Sequence, residues 1–136
     1  NKSIEDIKMS AVRAGLLCEM NKKEYSKDSK IFRYVTFNIY DKEKKHEILL
    51  YLFNVTEQET SVDFNWMIHD SNLIHIINIE DFDSSEKLVL DFIYEYLFLN
   101  RKDIFWDEQE WFYDYDSIKE IKNRQFDNEW CYKPFM

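Results

Sequence analysis

The sequence predicts a single-domain α+β protein with an N-terminal helix, a four-stranded, mostly antiparallel sheet, a long apolar helix packed on the sheet and a short C-terminal helix. Apolar residues recur every three to four positions at the start of the chain, alternate in the middle and then return to helical spacing. The chain has 136 residues, of which 45% are hydrophobic, and this suits one domain with its own core. No segment has the composition of a linker, so we expect residues 1–136 to form one domain.

Residues 3–24 are predicted to be helical. Ser3 is a candidate N-cap with Asp6 three residues later, a variant of the capping box. The apolar face of this helix is Ile4, Ile7, Ala11, Ala14 and Cys18. Gly15 weakens the middle, so a break at that position is the alternative. A polar connector is expected over residues 22–30.

Four strand-like runs come next, over residues 31–40, 48–55, 61–69 and 73–80. In the first run, Ile31, Val35, Phe37 and Ile39 share one face. The second run is apolar on both faces, which favours a central strand covered on both sides. A charged loop at 41–47 and a short turn at 70–72 join neighbouring runs, so an antiparallel meander is the simplest sheet.

Two helices are predicted after the sheet. Asp83 and Glu86 have the spacing of a capping box, and the helix that they begin continues to about Asn100 with most of its circumference apolar. A shorter helix is expected over residues 117–124, with Asp116 as its cap.

The net charge of −9 is unevenly distributed. Residues 1–50 hold 11 Lys and Arg against 8 Asp and Glu, whereas residues 51–136 hold 7 against 19. Direct nucleic-acid binding requires the opposite sign, because its affinity comes largely from neutralising phosphates. No run approaches the roughly 18 apolar residues of a membrane span, and residues 1–8 lack the apolar region of a signal peptide. We therefore expect a cytoplasmic protein that binds neither nucleic acid nor membrane directly.

Few residues favour catalysis. With one Gly the chain has no phosphate-binding glycine loop. His46, His69 and His75 show no metal-ligand spacing, although His69 and His75 flank the predicted turn. Cys18 and Cys131 are interpreted as buried thiols in a reducing compartment, with a bridge between them as the alternative. A pair of carboxylates could serve glycoside hydrolysis, but 27 acidic residues form many pairs, so a pair is weak evidence for that reaction. We expect a protein without enzymatic activity, metal or cofactor.

The acidic stretch, defined as residues 103–120, combines seven acids with six aromatic residues. Aromatic anchors and carboxylates that steer a basic partner are both typical of tight protein interfaces. The candidate partner-binding residues are Trp106, Asp107, Glu108, Glu110, Trp111, Tyr113, Asp114, Tyr115 and Asp116. The alternative is that the aromatic residues cap the core while the acids face water. Because Tyr113 and Tyr115 alternate with Asp114 and Asp116, at least one of the two sets should face solvent.

In size, charge and the 106–116 segment the chain resembles the immunity proteins of bacterial polymorphic-toxin and contact-dependent growth inhibition systems. The resemblance implies a small cytosolic α+β protein that neutralises one cognate toxin. A basic, nuclease-type toxin domain fits the acidic surface best, because nuclease sites bind phosphates. The alternatives are an acidic nucleic-acid mimic that inhibits a DNA-binding enzyme, and a small ligand-binding or enzymatic domain with a pocket between sheet and helix.

Overall fold

The computed structural model describes residues 2–25, 32–53, 77–80, 83–105 and 112–132, and within them lie three helices and a four-stranded antiparallel sheet. In chain order the elements are α1 (Lys2–Arg13), β1 (Leu17–Tyr25), β2 (Phe32–Tyr40), β3 (Glu47–Phe53), β4 (Ile77–Glu80), α2 (Glu86–Leu99) and α3 (Tyr115–Asn123). The strands lie in sequence order, and each pairs antiparallel with the next. The predicted α+β class and the four-stranded antiparallel sheet are confirmed. The members of the sheet differ from the prediction, because β1 was not predicted as a strand and the run predicted at 48–55 pairs directly with the run predicted at 73–80.

The prediction of one helix over residues 3–24 is wrong, and Gly15 is the reason. The helix α1 begins at Lys2, so Ser3 lies inside it, and it ends at Arg13. Gly15 has φ +75°, a left-handed conformation that glycine adopts without a Cβ penalty at the end of a helix. The Leu16 N–H then donates to the Ala11 carbonyl at 2.8 Å, and β1 begins at the next residue.

The first strand takes in residues that the sequence assigned to the helix and to the polar connector. Cys18 pairs with Ile39 of β2, so Cys18 lies in a strand and is half-buried rather than on a helical core face. The ladder continues through Lys22 to Tyr25, with irregularities between Met20 and Lys22 and at Tyr25. Strand β1 is thus an edge strand of the described sheet, and its bulge is typical of a protected edge.

Strand β2 has the predicted pattern, and β3 is a central strand as predicted but is fully covered on one face only. In β2, Val35, Phe37 and Ile39 are fully buried and share one face, as expected; Ile31 lies outside the described residues. In β3, Ile48, Leu50 and Leu52 are buried while the alternate residues Leu49 and Tyr51 are only half-buried, so one face of this central strand is more deeply covered than the other. The predicted loop at 41–47 lies between Tyr40 and Glu47, and the Asp41 carboxylate accepts the Lys45 N–H at 2.8 Å.

Strand β4 lies within the run predicted at 73–80. The strand predicted at 61–69 and the turn at 70–72 lie outside the described residues, as do His69 and His75.

Both predicted caps of the later helices are displaced by two residues. Helix α2 begins at Glu86 after Ser85, and Asp83 is exposed and does not cap it. The Glu86 carboxylate accepts the Ser84 N–H at 3.1 Å, and Ser84 has φ +70°, which forms a tight turn before the helix. Helix α3 begins at Tyr115, so Asp114 rather than Asp116 is its cap.

One hydrophobic core joins α1, α2 and α3 to the buried face of the sheet. Its fully buried members include Ile7 of α1, Phe37 of β2, Phe92 of α2 and Ile118 of α3. Helix α2 has 14 residues and ends at Leu99 with Asn100 as its cap, close to the predicted end. In the parts of the chain that the structure describes, no helix is long and apolar enough to cross a membrane.

Candidate functional site

The acidic stretch follows α2 and extends into α3, and the structure describes its two ends, residues 103–105 and 112–120. Of the nine residues predicted to bind a partner, Tyr113, Asp114, Tyr115 and Asp116 are within the described part. Trp106, Asp107, Glu108, Glu110 and Trp111 lie outside the described residues, so their assignment stays a prediction.

The two ends of the stretch are paired with each other. Phe105 and Tyr113 form an isolated antiparallel bridge in which each backbone N–H donates to the other residue's carbonyl at 2.8 Å. The centroids of their two rings lie 6.1 Å apart. Both rings also pack against the Trp130 ring, whose centroid lies 5.8 Å from that of Phe105 and 5.6 Å from that of Tyr113. We call these three residues the stem. The stem holds the two described ends of the acidic stretch next to each other at Phe105 and Tyr113.

Hydrogen bonds attach the stem to the start of α2. The Tyr113 hydroxyl donates to the Trp130 carbonyl at 3.0 Å, and the Trp130 indole N–H donates to the Glu86 carbonyl at 2.9 Å. Tyr113 is fully buried and Trp130 is 4% exposed. A buried hydroxyl and a buried indole N–H are therefore both satisfied, and the stem is a fixed part of the core.

The next three residues divide between core and solvent. Tyr115 is buried and its ring stacks on Tyr94 at 5.7 Å. Asp114 and Asp116 are exposed on either side of it. The Asp114 carboxylate accepts the Ser117 N–H at 2.8 Å and the Ser117 hydroxyl at 2.9 Å, as an N-cap does. Asp116 lies in the first turn of α3, where a negative charge is favourable.

This division corrects the predicted binding surface. Tyr113 and Tyr115 are core residues, so neither ring is exposed to a partner. Of the two alternating sets, the acids are the one that faces solvent. Asp114 is exposed but has a structural task in capping α3. Asp116 is the described candidate that is exposed and has no cap function.

We predict that Asp114→Ala lowers the free energy of unfolding by about 1 kcal/mol, because the amide at the start of α3 loses its acceptor. Asp116→Ala is the matched control, since it removes an exposed carboxylate two residues further on and costs only the weaker helix-dipole interaction. Urea denaturation of both variants measures the difference. Equal losses in the two variants would show that Asp114 does not act as the cap.

Asp103, the first residue of the acidic stretch, is half-buried, and burial raises the pKa of its carboxyl. The Tyr96 hydroxyl, which donates to Asp103 Oδ2 at 3.4 Å, and the nearby Lys2 act in the opposite direction and lower this pKa. The net effect is a raised pKa, so the folded state favours the protonated form of Asp103. The stabilisation that comes from this difference is present at low pH and is lost as the pH rises through the folded-state pKa. Asp103 is therefore a half-buried acid that contacts Tyr96 of α2.

A basic and aromatic surface, which the sequence pattern did not reveal, lies beside Tyr115. The Arg101 guanidinium carbon lies 4.0 Å from the Tyr115 ring centroid and 4.9 Å from that of Phe98. Arg13 of α1 also lies 4.9 Å from the Phe98 ring, and its Nε donates to Glu95 Oε1 at 2.9 Å. In the local sequence this surface is indicated only by the three-residue spacing of Phe98 and Arg101. Tertiary packing places Arg13 and Tyr115 next to them.

The remaining candidates for chemistry that the structure describes do not converge. Cys18 and Cys131 are free thiols, and burial raises the pKa of Cys18 to about 11, which leaves very little of the nucleophilic thiolate at neutral pH. Of the histidines, His46 is exposed in the β2–β3 loop. Among the described residues, no group of three or more His, Cys, Asp and Glu side chains is arranged to hold a metal ion.

The described site is thus a surface of a small α+β protein on which Asp114 and Asp116 face solvent while Tyr113 and Tyr115 are buried. A scan of protein-family models, a search of curated proteins and a search of solved structures each found no match to this chain.

Proposed function

We propose that this chain is an immunity-type inhibitor that binds one basic protein, of the nuclease-toxin kind, and occludes its active site with the acidic stretch. The supporting observation is the division of side chains at the end of that stretch. Tyr113 and Tyr115 are buried, whereas Asp114 and Asp116 face solvent from a segment whose base is fixed by the stem. The Asp114 carboxylate is held by its hydrogen bonds to Ser117, so it loses little entropy when it pairs with a partner's cation.

The charge of the chain supports the same partner. Residues 51–136 hold 7 Lys and Arg against 19 Asp and Glu, so this part of the molecule attracts cationic proteins over a distance. Such attraction accelerates association, which matters for an inhibitor that must act before its target does damage. The undescribed candidates Trp106, Asp107, Glu108, Glu110 and Trp111 belong to the proposed surface on the sequence argument alone, and the cytoplasm is the proposed setting.

The test begins with capture of a basic protein from lysate by the tagged chain, at low and at high salt. Affinity of the purified partner is then measured for Asp116→Lys and for Glu5→Lys. Both replaced acids are exposed and lie in the first turn of a helix, α3 and α1 respectively, so both changes alter charge and helix stability alike. We expect Asp116→Lys to weaken binding on the order of tenfold, because it sets a like charge against the partner, and Glu5→Lys to leave it unchanged.

Two outcomes would contradict the proposal. One is equal affinity of the Asp116→Lys and Glu5→Lys variants for the captured protein. The other is a captured protein that is not toxic when expressed alone, or whose toxicity the chain does not relieve when both are expressed together.

A nucleic-acid mimic is the second candidate, and the burial of Tyr113 and Tyr115 favours it as well. With these rings inside the core, the described end of the acidic stretch presents carboxylates to solvent with fewer aromatic residues between them. A mimic would inhibit several unrelated DNA-binding enzymes, whereas an immunity-type inhibitor protects against one. Inhibition of a panel of such enzymes by the purified chain separates the two.

A further inference from the structure

Arg101 is a cation in the acidic half of the chain, and aromatic rings hold it in place. Its Nε donates to the Phe98 carbonyl at 3.2 Å, and its guanidinium lies over the rings of Tyr115 and Phe98. Among the described residues, no carboxylate lies within ion-pair distance of it. Two other described cations near it are engaged: Arg13 pairs with Glu95, and Lys122 pairs with Asp91 at 3.4 Å.

The two rings hold the Arg101 guanidinium in a defined orientation. Tyr115 is buried beneath it, and Phe98 is 37% exposed beside it. A guanidinium stacked on aromatic faces keeps its terminal N–H groups at its free edge, and ordering it in advance reduces the entropy lost on binding. Arg101, Phe98 and Tyr115 are called the arginine platform below.

From this geometry we infer that the arginine platform is a binding site for a carboxylate presented by a protein partner. The planar edge of a guanidinium matches a carboxylate through two parallel hydrogen bonds. Phe98 adds an exposed apolar surface next to the charge, the combination that is typical of interface residues with large binding energies.

A protein is favoured over a nucleic acid because the residues on either side of Tyr115 in the chain are acidic. Asp114 and Asp116 are exposed on either side of Tyr115, and a chain of phosphates would be repelled by them. A single Asp, Glu or C-terminal carboxylate on a protein can reach Arg101 while the neighbouring acids face the partner's cations. This inference requires a carboxylate on the partner, whereas the proposed function requires cations on the partner. An experiment can therefore contradict one of them without contradicting the other.

The test uses the isolated chain and a terminally blocked Ala-Glu-Ala peptide as the probe. The chain has four arginines, Arg13, Arg33, Arg101 and Arg124, so the side-chain Nε–H signals of the ¹⁵N-labelled protein form a small, assignable set. The peptide is added at constant ionic strength, with chloride as the compensating anion. We expect the Arg101 signal to move and to saturate, while that of Arg124, which pairs with Glu120, serves as the internal control.

Two variants test the parts of the platform. Arg101→Lys keeps the charge but loses the two-pronged edge, and Phe98→Leu keeps an apolar side chain but removes the ring. Read on the Lys102 backbone amide, each should weaken peptide binding, Arg101→Lys by about tenfold. Circular dichroism checks that both remain folded.

Three results would overturn the inference. They are an Arg101 shift no larger than that of Arg124, a stronger response to inorganic phosphate than to the peptide, and a shift that depends on protein concentration before any peptide is added. The last would place the carboxylate on a second copy of this chain.

Discussion

Replacing Trp130 with alanine should lower the free energy of unfolding by about 3–5 kcal/mol, the usual cost of removing a large buried aromatic side chain. Trp130 is 4% exposed and contacts both other members of the stem. Its loss also removes the indole N–H that donates to the Glu86 carbonyl at the start of α2. The C-terminal segment, the acidic stretch and α2 would therefore lose a shared contact, and urea denaturation measures the result.

Phe126→Ala is the matched control, because Phe126 lies four residues earlier, is 40% exposed and contacts Lys87 rather than the stem. Its loss should cost less than about 1 kcal/mol. Tyr113→Phe keeps the stem rings and removes only the hydroxyl that donates to the Trp130 carbonyl, for about 1 kcal/mol. If Trp130→Ala were no more destabilising than Phe126→Ala, the stem would not be part of the core.

The second large effect is expected at the ion pair between α1 and α2. Glu95 has a side chain that is 10% exposed, and Arg13 reaches it from α1 with a side chain that is 45% exposed. We predict that Arg13→Ala destabilises the protein by about 1–3 kcal/mol, because the Glu95 carboxylate is left desolvated without a partner. The value stays below that of a fully buried pair, since solvent reaches Arg13.

A double mutant separates this loss from the loss of arginine packing on Phe98. Arg13→Ala combined with Glu95→Leu removes both charges and should recover most of the stability, because the unpaired buried carboxylate is gone. Arg124→Ala is the exposed control, as both partners of its ion pair with Glu120 are about half exposed; it should cost less than about 0.5 kcal/mol. Each single variant, Arg13→Ala and Glu95→Leu, is measured as well. If the double mutant lost as much free energy of unfolding as the two single variants together, Arg13 and Glu95 would not be coupled.

The strands that the sequence predicted correctly are those whose pattern is local. Val35, Phe37 and Ile39 alternate strictly, so their common burial is expected from the period of a strand. Strand β1 was missed because Leu, Glu, Met and Lys are good helix formers, and its strand conformation depends on pairing with β2. Gly15 indicated where the helix could end, but a glycine at a helix end is compatible with a strand, a loop or a second helix after it.

The site was predictable only in part, for a similar reason. Alternation along the chain indicated that one of the two sets, Tyr113 and Tyr115 or Asp114 and Asp116, faces solvent. Which set it is depends on Trp130, 17 residues after Tyr113, and on the rings of α2 that receive Tyr115. The same packing begins α3 at Tyr115 and so makes Asp114 the cap instead of Asp116. Contacts of this kind have no signature in the local sequence.

We propose that the acids of this segment, next to the aromatic stem, form the face that a basic partner covers. Hydrogen–deuterium exchange of the chain, alone and with the captured partner, tests it most directly. Binding should slow exchange in peptides that cover residues 112–120 and leave the exposed, lysine-containing β2–β3 loop at residues 41–46 unchanged. Protection of that loop with no change at 112–120 would contradict the account.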